Sequence, residues 1–159
     1  MLSESARMSS AAEARFRMQA PNSTPRAIKV VALDVPSEGV VKRLSDVSWN
    51  HAAFFTASAS ADGRLRDLAG GFHSLVAEVD TADLVVMIAA PGGAAHAAAI
   101  VGEACSLKRV TTTALIVGAF SSTDQALAQT LAQIRPWSLM VVIANADDYI
   151  EDMLMALRA

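Results

Sequence analysis

The chain predicts an α/β domain, a doubly wound and mostly parallel five-stranded sheet with helices on both faces, Rossmann-like in type. Two observations carry that expectation. From Ile28 onward, short β-branched apolar runs alternate with helical periodicity, joined by short connections. The most apolar stretch, "DLVVMIAAPGGAAHAAAIVGEAC" (83–105), is cut by Pro91-Gly92-Gly93 into a strand-length half and a helix-length half. A membrane span needs about 20 uninterrupted apolar residues, so this segment belongs inside a sheet domain.

Taken in order, "IKVVAL" (28–33) is the first buried strand. "SEGVVKRLSDVSW" (37–49) follows as a helix that puts Val40, Val41, Leu44 and Val47 on one face, with Ser37 as its N-cap. "AAFFTAS" (52–58) is the second strand. "RLRDLAGGFHSLVAEVDTA" (64–82) reads as helical over most of its length, with a break or kink at Gly70–Gly71. "DLVVMIAA" (83–90) is the third strand, "AAHAAAIVGEACSLKR" (94–109) a helix, and "VTTTALIVG" (110–118) the fourth strand. Leu127, Leu131 and Ile134 stripe the next helix, which Pro136 ends. "SLMVVIAN" (138–145) is the fifth strand. "DDYIEDMLMALRA" (147–159) closes the chain as a helix with Tyr149, Ile150, Met153, Leu154 and Leu157 on one side.

The 159 residues fit one domain over 28–159, preceded by a flexible arm, 1–27, rich in Ser, Ala and Arg. Residues 10–19 of the arm have the alternative of a short helix. The arm lacks the apolar core of a signal peptide, so secretion is not indicated. With 53% hydrophobic and 18% charged residues the domain is not a disordered chain. The net charge of −3 and scattered basic residues offer no stripe for a nucleic-acid backbone. A single cysteine, Cys105, cannot form an internal disulfide and reads as a small buried hydrophobe, in keeping with a reducing cytoplasm. The high apolar content points to self-association, as a homodimer, or to a protein partner.

Ligands of such sheets sit beyond the carboxyl ends of the strands, at helix N-termini. "PGGAAH" after the third strand has two readings. Gly92 and Gly93 let a backbone approach a small anion that His96 then contacts, or they make a tight turn with His96 at the surface. "DVPSEG" after the first strand places Asp34 and Glu38 where they would repel a phosphate. A metal-binding or general-base role is the alternative to helix capping, but these spacings reproduce no ligand signature. His51 and His73 have no acid or nucleophile at diagnostic spacing and read as structural. No G-x-G-x-x-G, P-loop, G-x-S-x-G or C-x-x-C motif occurs.

The order of "IKVVAL", "GVVKRLSDV", "AAFFTAS", "ADLVVMIAAPGG", "TTTALIVGAF", "QALAQTLAQI" and "LMVVIAN" resembles the N-terminal nucleotide-binding domain of the FtsZ/tubulin superfamily over residues 28–155. The resemblance implies a phosphate site at the third strand and contact with a base near Asn145, with Asp147 or Asp148 beside it. The departures are specific. Where that family carries GGGTGTG, this chain has "APGGAAH", with Ala94, Ala95 or His96 in place of the threonines. The family's first glycine cluster is "DVPSEG" here, and the domain that bears its catalytic acids has no counterpart. The expectation is therefore a degenerate, non-enzymatic domain with no cofactor and no metal, which works by protein contact and neither binds GTP tightly nor hydrolyses it. The helix "AAHAAAIVGEAC" offers small residues for close packing, against a partner or within the chain. The alternative is an enzyme or sensor for a small anion or nucleotide at Gly92–His96, with Asp34 or Glu38 as a base.

Overall fold

The computed structural model describes residues 26–57, 64–93, 95–144, 147–157 and 159. The arm up to residue 25, its possible helix at 10–19 and Asn145 lie outside the described residues. Strands β1 (Ile28–Ala32), β2 (Ala52–Thr56), β3 (Arg64–Asp67), β4 (Phe72–Ser74), β5 (Leu84–Ala89), β6 (Thr111–Val117) and β7 (Met140–Ala144) form one sheet, ordered β4-β3-β2-β1-β5-β6-β7. The helices are α1 (Val35–Ser45), α2 (Leu75–Asp80), α3 (Ala97–Lys108), α4 (Asp124–Ile134) and α5 (Asp147–Ala156). The expected five strands are present as the parallel set β2, β1, β5, β6 and β7. Two more, β3 and β4, extend the sheet antiparallel beyond β2.

Those two strands correct the helix expected over 64–82. In "RLRD", Arg64 and Arg66 are exposed while Leu65 is buried, the period-two alternation of a strand. Gly70, at φ +93, turns the chain where an L-residue would be strained. Asp67 Oδ1 accepts from the N–H of Ala69 at 2.9 Å and of Gly71 at 2.8 Å, closing an Asx-type hairpin turn. Gly70–Gly71 is thus a loop between strands, and only 75–80 of the stretch is helical.

Two hydrophobic layers flank the sheet. Val31, Leu33, Met87, Ala114 and Ile116 face α2, α3 and α4, while Val30, Ala32, Val86, Ile88 and Leu115 face α1 and α5. β5 is buried along its whole length, as its unbroken apolar run requires. The chain winds from β1 outward to β2, then returns to β5 and winds the other way to β7. The crevice between the carboxyl ends of β1 and β5 is the switch point of the fold.

Three smaller expectations are corrected by local geometry. α1 starts two residues before Ser37 and its N-cap is Asp34; Pro36 is accommodated in the first turn, where its missing N–H costs nothing. Val47 lies beyond the end of α1. Tyr149 is exposed, because Ile150 and Leu154 already fill the buried side of α5. The α4 stripe ends as expected, with Ile134 buried and Pro136 in a short 3-10 turn. No helix among the described residues is long and apolar enough to cross a membrane.

Candidate functional site

At the switch point, Asp34 is 3% exposed. Its Oδ1 accepts from the Ser37 N–H at 3.0 Å and the Ser37 hydroxyl at 2.5 Å, which caps α1. Its Oδ2 accepts from the Ala90 N–H at 2.9 Å, across the crevice, in the loop that follows β5. One carboxylate therefore ties the end of β1, the start of α1 and the end of β5 together. Such charge-assisted bonds to backbone donors are stronger than neutral ones.

The two glycines of "PGG" serve the same closure. Gly92 has φ +78, and its N–H donates to Thr130 Oγ1 of α4 at 3.0 Å. Thr130 is buried and was invisible to sequence reasoning, since a threonine in mid-helix carries no marker of a loop partner. Gly93 donates to the Ala90 carbonyl at 3.1 Å. A Cβ at Gly93 would collide with the Asp34 carboxylate. The close approach that these glycines permit is to the protein's own aspartate. Three N–H groups of the loop, at Ala90, Gly92 and Gly93, are satisfied from within the chain.

The other expected site residues are not gathered with Asp34. His96 is exposed at the N-cap of α3, before the first helical turn, and makes no side-chain capping bond. Glu38 lines a cleft of about 250 Å³ with Lys42, Thr56, Arg66 and Asp67, beside the hairpin. A larger cleft, about 400 Å³, lies at the amino ends of β6 and β7, floored by Gly102 and Trp137. It is at the wrong end of the sheet for the ligand position that this topology favours. Gly102 is needed there because a Cβ would strike the Trp137 side chain. The small residues of α3, among them Ala98, Gly102 and Cys105, are thus spent on packing within the chain. Burial pushes the Cys105 thiol up to about 11, so it stays protonated at neutral pH.

His73 does have acid neighbours, contrary to the reading from spacing alone. Its Nε2 lies 2.6 Å from Asp67 Oδ2 and its Nδ1 3.5 Å from Glu78, which also pairs with Lys29 at 2.9 Å. The hairpin brings these residues together, so missing the hairpin hid them. Asp67 is held below the usual carboxylate range, first by the His73 hydrogen bond and then by the Gly71 N–H. His73 also stacks edge-on against Phe55, at 5.5 Å between centroids. The array buttresses the hairpin against β2 and α2. His51 is exposed at the start of β2. Among the described residues no group of three or more His, Cys, Asp or Glu is placed to hold a metal ion.

Fold and site together define an α/β domain whose switch point is closed by its own side chains. No protein-family model and no curated protein matches the chain. Solved structures similar in fold include translation elongation factor SelB from Methanococcus maripaludis, in complex with the GTP analogue GppNHp. That match has TM-score 0.49 and 7% identity, covering 84% of this chain and 34% of that one. The apo form of the same factor matches with TM-score 0.49 and 10% identity, covering 85% and 34%. This chain thus spans about a third of the length of those structures. Likeness at this level carries nothing about ligand or activity.

Proposed function

We propose that this domain acts through protein–protein contact, including self-association, and not by turning over or tightly holding a nucleotide. The observation that supports the reading is the Asp34 closure. A phosphate must exchange its hydration for donors aimed at it. Here three loop N–H groups already have partners, and a carboxylate fills the crevice. A unit charge facing another at about 4 Å costs on the order of 4 kcal/mol near a protein surface, so a polyphosphate at this position meets repulsion in place of a cradle. The relation to the FtsZ/tubulin superfamily is part of this proposal, as a form whose phosphate loop has been converted to internal bonding. It rests on the order of elements and on "PGG" ending the central strand.

A second reading, a small anion at the N-terminus of α3, is favoured by the exposed His96 at a helix start without a side-chain cap. Calorimetry with GTP, with and without Mg²⁺, and with inorganic phosphate separates the two. No heat of binding is expected in any titration. Micromolar binding of GTP overturns the proposal, and binding of phosphate that is lost in His96→Ala establishes the second reading.

A further inference from the structure

The two edges of the sheet differ in how they are protected. β4 is three residues long, and its exposed Phe72 is covered by the Arg64 guanidinium, 4.9 Å above the ring. Among the described residues β7 pairs with β6 alone, and it carries no charged side chain from Ser138 to Ala144. Leu139 is 80% exposed, Met140 48% and Ile143 45%. An apolar edge without lysine, proline or bulge is open to pairing with another strand.

Hydrogen-bond parity says which backbone groups β7 offers. The Leu33 N–H donates to the Ile88 carbonyl, so even-numbered residues of β5 face β1 and odd ones face β6. Carried through the parallel registers, this turns the odd residues of β6 toward β5 and the even ones toward β7. Thr112, an even residue, accepts on the β7 side, from the Leu139 N–H one residue ahead of the strand, so the alternation in β7 is counted from Met140. Met140, Val142 and Ala144 are therefore bonded to β6, and the N–H and C=O groups of Val141 and Ile143 point outward.

Resting on the protein-contact reading, we propose that β7 is the self-association surface and that its occupant is β7 of a second copy, antiparallel about a dyad at Val142. That register sets Val141 opposite the partner's Ile143, with both outward-pointing residues in a hydrogen-bonded pair. Val142 meets the partner's Val142 in a non-hydrogen-bonded pair, and Met140 lies opposite the partner's Ala144, large against small. Each facing pair lies on the same face of the sheet, since the registers differ by an even number. No charge meets another across the seam, so the strand is complementary to itself in charge, size and backbone parity. The interface is isologous and closes as a dimer.

Sedimentation of the full chain at high micromolar concentration tests this, with circular dichroism to follow folding. The wild type is expected as a dimer, and Ile143→Lys, which sets a charge against the partner's Val141, is expected to weaken association at least ~10-fold. Val142→Cys brings two thiols together at a Cα separation of about 4.5 Å, within disulfide range. It is expected to give a covalent dimer under mild oxidation. Met140→Cys, four positions out of register with its own copy, is expected to stay unlinked, and buried Cys105 does not compete. A monomeric wild type overturns the proposal, as does cross-linking at Met140→Cys in place of Val142→Cys. A dimer that survives Ile143→Lys unchanged overturns it too. A monomeric wild type also removes self-association from the protein-contact reading, whereas the other two outcomes leave that reading standing; the nucleotide titrations test separately whether the switch point takes a nucleotide.

Discussion

Asp34 and Asp67 use one chemical device in two settings. Each follows or ends a strand, accepts backbone N–H bonds and organises the chain that follows. Asp34 sits at the centre of the sheet, sealed from water, and joins segments 56 positions apart in sequence. Asp67 sits at the edge, partly open to water, and joins residues within six positions of itself. The number of bonds does not set a carboxylate's weight. What matters is whether water can replace those bonds when the carboxylate is gone. At Asp34 the freed Ser37 groups stay buried and unpaired and the Ala90 N–H half-buried, whereas at Asp67 solvent takes over.

The largest effect is therefore expected for Asp34→Ala. It removes a helix cap, leaves the buried Ser37 N–H and hydroxyl without their acceptor and takes the partner from the half-buried Ala90 N–H, a loss of about 2–4 kcal/mol. Urea unfolding followed by circular dichroism measures it, and a loss below about 1 kcal/mol would show that water reaches the crevice. Asp34→Asn sharpens the point. One amide oxygen can serve Ser37 or Ala90 but not both, so an intermediate loss of about 1–2 kcal/mol is expected.

Gly93→Ala comes next, at about 1–3 kcal/mol, because the new methyl group must displace the Asp34 carboxylate. The informative measurement is the double-mutant cycle. In the Asp34→Ala background the carboxylate is gone and only the Cβ of residue 34, 3.0 Å away, remains, so the Gly93→Ala penalty is expected to fall sharply, giving a coupling far from additivity. Additive losses would mean that Gly93 is required for its backbone and not for its neighbour.

How much of this was legible follows the same division. The parallel core was readable because a strand buried on both faces has to be an unbroken apolar run, as in "LVVMIA", and glycine and proline punctuate such runs. The hairpin was not, because "RLRDLAGGFHS" mixes charge and small residues that suit a helix equally well over so short a span. The alternation at Arg64, Leu65 and Arg66, with Asp67 three residues before Gly70, was the available signal. At the site, sequence showed Asp34 and the glycines as separate strand-end features. Their mutual contact depends on the β1–β5 register, which no local pattern encodes. The glycines suit a tight turn and a ligand's approach alike in sequence, since backbone approach to a phosphate and to a carboxylate make the same demand.

The edge aspartate gives a smaller effect in unfolding and a clearer one in local exchange. Asp67→Asn is expected to shift the urea midpoint less than Asp34→Asn does. The Asn side chain still has one acceptor oxygen for the turn, but its bond to His73 loses the charge. Faster hydrogen exchange is expected at the Ala69 and Gly71 amides, with β1 and β5 unchanged. Exchange that spreads into β5 would make the hairpin part of the central cooperative unit and erase the distinction between the two aspartates.

The smallest effect is the pH dependence of that edge. Asp67 is held below its ordinary value chiefly by His73, so the folded state binds fewer protons there than the unfolded chain does. Its contribution is fully present above the unfolded value, ~3.9, and is lost as the pH falls through the lower, folded value. The stability difference between the native chain and Asp67→Asn should accordingly be flat at neutral pH and shrink on acidification. A carboxyl titration by NMR locates the folded midpoint directly. It is expected below that of an unperturbed aspartate, and His73→Ala is expected to move it upward, because it removes the hydrogen bond that is the largest cause of the depression. A midpoint unchanged by His73→Ala would assign the depression to the turn amides, and Asp67 would then be held by the same backbone chemistry as Asp34, with exposure the only difference between them.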